Sequence, residues 1–237
     1  MVTALAIGRP SVAAISIAGA AAAIFIAHEP LLILLGRRGV RVRHAQQREA
    51  IVWLAACGSL AAAFGATGML LVQSATRWTL GVPLVCGVIA TVFVARGEER
   101  STLGEIAVAA ALVSVSFPVA IAASASTIVA LTCALAFAAA FITATVSVRT
   151  VIAAAHRSGS LMRSSAVAVT VLVLAGVAAL ASQRLILSAA MWAALPMCTV
   201  EIVLAVIVPP PRYLRQIGWT LVGASALTGI ILVAAMR

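Results

Sequence analysis

Eight apolar runs, at about 11–35, 50–73, 78–95, 103–124, 126–155, 164–182, 185–208 and 214–236, take up most of the chain. Each reaches or approaches the roughly 20 residues that carry an α-helix across the hydrocarbon of a bilayer. Lipid offers the backbone no hydrogen-bonding partner, so a spanning segment must satisfy its own N–H and C=O groups, and a helix does this within one segment. The runs therefore predict an all-α, polytopic membrane helix bundle of eight spans, forming a single transmembrane domain over residues 1–237. Composition closes the alternatives. Only 9% of the residues are charged, against about 25% in a soluble domain, and the mean hydropathy is +1.19. A soluble enzyme, a disordered chain, a disulfide scaffold and a β-barrel are excluded. The first run is too long for a cleavable signal peptide, and a second span follows it directly.

The formal charge is +10, and all sixteen basic residues are Arg; Lys, Asp and Asn are absent. Twelve of the sixteen Arg fall in the connections after spans 1, 3, 5 and 7, within 36–48, 96–102, 149–163 and 209–215. Arg9, Arg77, Arg184 and Arg237 fall in the others. That alternation is the positive-inside pattern, and it predicts the four Arg-rich loops in the cytoplasm with both termini outside. The rule accounts for the basic excess by itself, so the bilayer is the expected partner and nucleic acid is not. Protein partners are left unspecified. Trp78, at an outer boundary, and Trp53 and Trp219, near the cytoplasmic one, suit an aromatic belt. Cys57, Cys86, Cys133 and Cys198 sit singly in apolar runs and read as small buried hydrophobes. The stretch GSLAAAFGATG at 58–68 carries the small-residue spacing that lets helix backbones approach in lipid.

Chemistry must come from polar residues inside the spans, where an ionisable side chain costs about 2.5–3.5 kcal/mol on insertion scales. Glu49, Glu98 and Glu99 border the Arg-rich loops and read as solvated partners of those Arg. Glu29 lies in FIAHEPLLILLG, about 10 Å below the cytoplasmic boundary at ~1.5 Å per residue. Pro30 should kink the helix beside His28 and Glu29. Imidazole, carboxylate and kink make Glu29 a candidate metal or proton site, and a buried ion pair is the structural alternative. Glu201, in PMCTVEIVLAVIV, lies at similar depth, with the same two readings. Glu105 is the acid of an S/T-x-x-E capping box opened by Thr102, or a pocket residue. Arg149 is an anion ligand or a snorkelling headgroup contact. His28, Glu29, Glu105, Arg149 and Glu201 thus form one candidate pocket facing the cytoplasm. No hydrolase, metalloprotease, P-loop or dinucleotide motif is present.

At FIAHEPLLILLGRRGVRVR, GEERSTLGEIAVAAALVSVSFP and PPPRYLRQIGWTLVGASALT the chain resembles the YwiC-like family of bacterial integral membrane proteins. The resemblance implies a bacterial inner-membrane location and a fold, and no reaction, since the family is largely uncharacterised. Members usually open with an E-H-G motif on a helix ahead of the segment similar to VTALAIGRPS. Its absence here implies either an upstream start, giving nine spans, or a lost helix. More distantly, the family is similar to UbiA-type prenyltransferases, whose Asp-rich motifs hold Mg²⁺ against a polyprenyl diphosphate. A UbiA-like bundle would then take an isoprenoid or other lipid ligand, with Glu29 near the first motif as the one metal ligand. A chain without Asp cannot hold either motif in its usual form.

Three function classes follow. The first is a transferase acting on a polyprenyl diphosphate with Mg²⁺. The second is a small-solute or proton-coupled transporter with Glu29 and Glu201 as titrating groups, although no inverted repeat is legible. The third is a non-catalytic subunit of a membrane complex.

Overall fold

A computed structural model describes residues 1–98, 101–155, 159–207 and 209–237. Among the described residues there is no strand, and eight helices are long and apolar enough to cross a membrane. They run Val12–Leu34, Val40–Leu71, Trp78–Arg96, Leu103–Ala122, Thr127–Ile152, Ser164–Ser182, Ala189–Ile207 and Leu214–Met236. The all-α polytopic reading holds, and every apolar run becomes helical, that at 103–124 as two successive helices. The chain divides into two compact units, Met1–Ala125 and Ser126–Arg237, each holding four of these helices.

In the first unit, α1 (Val2–Ile7), α2 (Val12–Leu34) and α3 (Val40–Leu71) precede a short α4 (Ser74–Arg77) and a 3-10 turn, Trp78–Leu80. Then come α5 (Gly81–Arg96), α6 (Thr102–Ser114) and α7 (Ser116–Ala122). α2 and α3 form the most extensive pairing, α5 pairs with α6, and α7 packs on α1 and α2. Small residues set the α2–α3 approach. A Cβ on Gly68 would stand 3.0 Å from Ile17 Cγ1, and one on Gly19 3.2 Å from the Phe64 ring. Gly58 and Gly65 face open space, so of the glycines in 58–68 only Gly68 acts as the close-approach residue.

The span expected as one helix over 103–124 is interrupted at Val115. Pro118 has no N–H for the Ser114 carbonyl and crowds it. Ser114 Oγ and Ser116 Oγ instead donate back to the carbonyls of Ala111 (3.0 Å) and Val113 (2.6 Å). At the end of α7, Ser11 Oγ donates to Ala122 O (2.7 Å) and also accepts from Ala14 N (3.1 Å), so one hydroxyl caps α2 and ties it to α7.

The second unit contains α8 (Thr127–Ala155), α9 (Gly159–Ser182), α10 (Ala189–Ile207) and α11 (Leu214–Met236), with a 3-10 turn, Pro211–Tyr213, before the last. α10 packs against all three of the others, and α8 against α9 and α11. α8, α10 and α11 share a core of Ala140, Val151, Met197, Ile217, Leu221 and Ala224.

The Arg-rich connections prove shorter than the sequence pattern suggests. Arg41, Arg43 and Arg48 lie in α3, Arg149 lies in α8, Arg96 ends α5 and Arg215 lies in the first turn of α11. Arg is a good helix former, so these helices continue past their apolar stretch. Glu99, Arg100 and Arg157 lie outside the described residues.

Candidate functional site

The turn between α2 and α3 is built by its glycines. Gly36 has φ +73 and Gly39 φ +96, a region that favours glycine. Gly36 N bonds Ile33 O (3.0 Å) and Arg37 N bonds Leu32 O (2.9 Å), the paired bonds of a Schellman motif. This reversal turns the next two side chains back on the helices. Arg38 Nε donates to Glu29 Oε1 (2.8 Å) and Nη2 to Glu29 Oε2 (2.6 Å). Arg37 Nη2 donates to Ala95 O (2.6 Å) at the end of α5 and lies against Gly97, where a Cβ would collide with the guanidinium. A cation there complements the negative end of the helix.

Glu29 is therefore the acid of a two-pronged ion pair, and its side chain is 56% exposed. His28 is half-buried, and α2 runs unbroken through Pro30. Among the described residues no three His, Cys, Asp or Glu come together as a metal set. A Mg²⁺–diphosphate centre at Glu29 would have a single carboxylate, held by Arg38, and no set of three ligating side chains among the described residues. That is a poor fit to a hard cation that wants several oxygens.

Glu105 is half-buried in the first turn of α6. The cap of that helix is Ser101, whose Oγ accepts from Gly104 N (3.0 Å). The expected box opened by Thr102 is thus displaced by one residue, because Ser101 precedes it and takes the cap, and Gly104 stands where the acid would be.

Glu201 has the opposite surroundings to Glu29. It sits on α10, the helix that touches the other three of its unit, and is fully buried. Ser147 Oγ, on α8, donates to Glu201 Oε2. Glu201 Oε1 is buried with no hydrogen-bond partner among the described residues. Met197, one turn earlier on the same face of α10, belongs to the apolar core. Thr143, Ser147 and Thr150 recur at helical spacing along α8, all buried. Thr143 Oγ1 donates to Ala139 O (2.9 Å) and Thr150 Oγ1 to Val146 O (2.9 Å).

Pro196 lies inside α10, five residues before Glu201. It removes the N–H that would meet Trp192 O, and at the adjoining Ala193 the carbonyl accepts from Thr228 Oγ1 of α11 (2.7 Å). Arg149 is half-buried on α8, two residues from Ser147. The pairing of Ser147 with Glu201 is absent from the sequence reading. Its one signal there was the hydroxyl spacing at 143, 147 and 150 in an otherwise apolar helix.

A model of the YwiC-like protein family matches residues 1–120, just over half of the chain. The chain belongs to the YwiC-like family. No curated protein and no solved structure matches it. The YwiC-like match holds His28, Glu29 and Glu105, together with the Arg37–Arg38 turn, and ends before Arg149, Ser147 and Glu201. The YwiC-like part is thus the unit with the closed ion pair, while the buried carboxylate lies beyond it.

Proposed function

We propose that this multi-pass membrane protein is a proton-coupled transporter of a small solute in the bacterial inner membrane, with Glu201 as the group that takes up and releases the proton. The observation that carries this reading is the buried Glu201, bonded on one oxygen and open on the other. An ionisable side chain at membrane depth faces a bundle interior or cavity and is by default a candidate for an ion or substrate route. Pro196 removes one backbone hydrogen bond from α10 close to Glu201, while the helix runs continuously from Ala189 to Ile207. Glu29 is assigned a different part: with Arg38 it fixes the α2–α3 turn on the cytoplasmic side. The transferase reading has no comparable support, since no set of three His, Cys, Asp or Glu gathers among the described residues to hold its metal.

The test is proton movement into liposomes holding the full chain and a trapped pH-sensitive dye, challenged with a panel of sugars, amino acids and amines. At least one solute should trigger proton flux. Glu201→Gln should abolish that flux and Glu29→Gln should leave most of it. Wild-type flux in Glu201→Gln would remove Glu201 from the mechanism. No flux with any solute, together with a protein that co-purifies from native membranes, would favour a subunit of a complex instead.

A further inference from the structure

A second feature lies in α3. This helix is 32 residues long, about 48 Å at ~1.5 Å per residue, while the hydrocarbon core is about 30 Å thick. Its apolar part begins at Ala50, which is buried; residues 41–49 ahead of it are exposed without exception. Arg41, His44 and Arg48 fall on one face at i, i+3 and i+7, and Arg43 adds a fourth basic side chain behind them. Glu49 is the one acid in this segment.

The neighbouring Arg37 and Arg38 are committed to Ala95 O and Glu29. The Arg41, Arg43 and Arg48 side chains make no hydrogen bond or ion pair among the described residues. Three guanidinium groups therefore stand uncommitted on a rigid helix that continues directly from the membrane, beginning at the hydrocarbon edge with Arg48.

We propose that the Val40–Glu49 extension of α3 is a docking surface for anionic phospholipid headgroups. Continuity with the span places Arg48 at headgroup depth and Arg43 about 7.5 Å further along the axis. Each guanidinium carries a fixed positive charge that an anionic headgroup attracts. A juxtamembrane basic cluster gains affinity for an anionic surface with each Arg added.

The experiment is native mass spectrometry of the detergent-solubilised full chain, titrated with phosphatidylglycerol or phosphatidylcholine. The wild type should retain the anionic lipid preferentially at low salt. Each Arg→Gln change should weaken that retention up to about fivefold, most for Arg48→Gln and least for Arg41→Gln. The triple Arg→Lys variant should keep the preference, and raised salt should erode it. Equal retention of the two lipids by the wild type, or an undiminished preference in the triple Arg→Gln variant, would overturn the proposal. So would loss of the preference in the triple Arg→Lys variant, which shows a role other than charge. Loss of a co-purifying acidic protein instead of lipid in the triple Arg→Gln variant would also overturn it.

Discussion

Two of the intramembrane carboxylates, Glu29 and Glu201, show how much a single residue's setting decides. Glu29 accepts both prongs of Arg38 and is largely exposed, whereas Glu201 is buried with one oxygen unmet. A buried acceptor without a partner costs about 1–3 kcal/mol, more when charged, and replacing it by an apolar side chain of similar shape is neutral or stabilising. Without Glu201, the single Ser147 hydroxyl proton still has Thr143 O as an acceptor at 2.9 Å. Glu201→Met should therefore raise the thermal unfolding midpoint in detergent, by an amount equivalent to about 1–3 kcal/mol, while abolishing any flux. A fall in that midpoint would make Glu201 a structural group. Glu29→Gln and Arg38→Gln should each cost little, with a coupling in a double-mutant cycle of about 1 kcal/mol or less, as exposed pairs do. The sequence makes the depth of both acids legible, because each lies a countable number of residues from a basic loop. It does not make their direction legible. α2 and α10 are apolar all round, so no polar face marks which side meets protein, and the ion pair to Arg38 depends on a reversal only the folded turn supplies.

At the scale of elements, apolar run length was enough to find every span, since lipid imposes helix on any such run. Where helices end and which touch was less legible. Four chain reversals use the same paired bonds, at Gly36, Gly97, Ser124 and Arg184, and the last two place non-glycine residues at φ +63 and +58. A left-handed residue with a Cβ costs roughly 1–2 kcal/mol. Ser124→Gly should then stabilise the end of α7 by about 1 kcal/mol, read as a higher thermal midpoint, and no gain would mean that the Ser124 side chain makes a compensating contact. The α2–α3 pairing gives a paired test. Gly68→Ala forces a Cβ to 3.0 Å from Ile17, while the Cβ of Gly65→Ala meets nothing within 4 Å. Overpacking costs about 1–3 kcal/mol, and Ala in an open helical site gains up to about 1 kcal/mol over Gly. Gly68→Ala should lower the midpoint and Gly65→Ala should leave or raise it. The sequence marks all these glycines as small; it cannot say which of them faces a neighbour.

At the scale of the whole molecule, charge alternation carries the argument, because nothing in the packing of either unit says which end meets the cytoplasm. The Arg excess after spans 1, 3, 5 and 7 survives the finding that most of those Arg sit on helix ends, since the rule counts residues near the membrane and not their secondary structure. Each unit begins and ends a run of four spans, so each should have its basic ends inside. The native thiols make a quiet background for testing this: Cys57, Cys133 and Cys198 are buried, and Cys86, half-buried, can be replaced by Ser. Into that background go single cysteines at three exposed positions: Gln46→Cys on the α3 extension, Gln73→Cys after α3 and Gln183→Cys after α9. An impermeant maleimide applied to intact cells should label positions 73 and 183 and spare position 46 until the membrane is opened. Labelling of position 46 from outside would invert the first unit. Protection of position 183 would break the alternation in the second. A reversed first unit would turn the α3 extension outward and would place Glu29 on the outer side. Arginine placement would then no longer serve as a guide to sidedness in this chain.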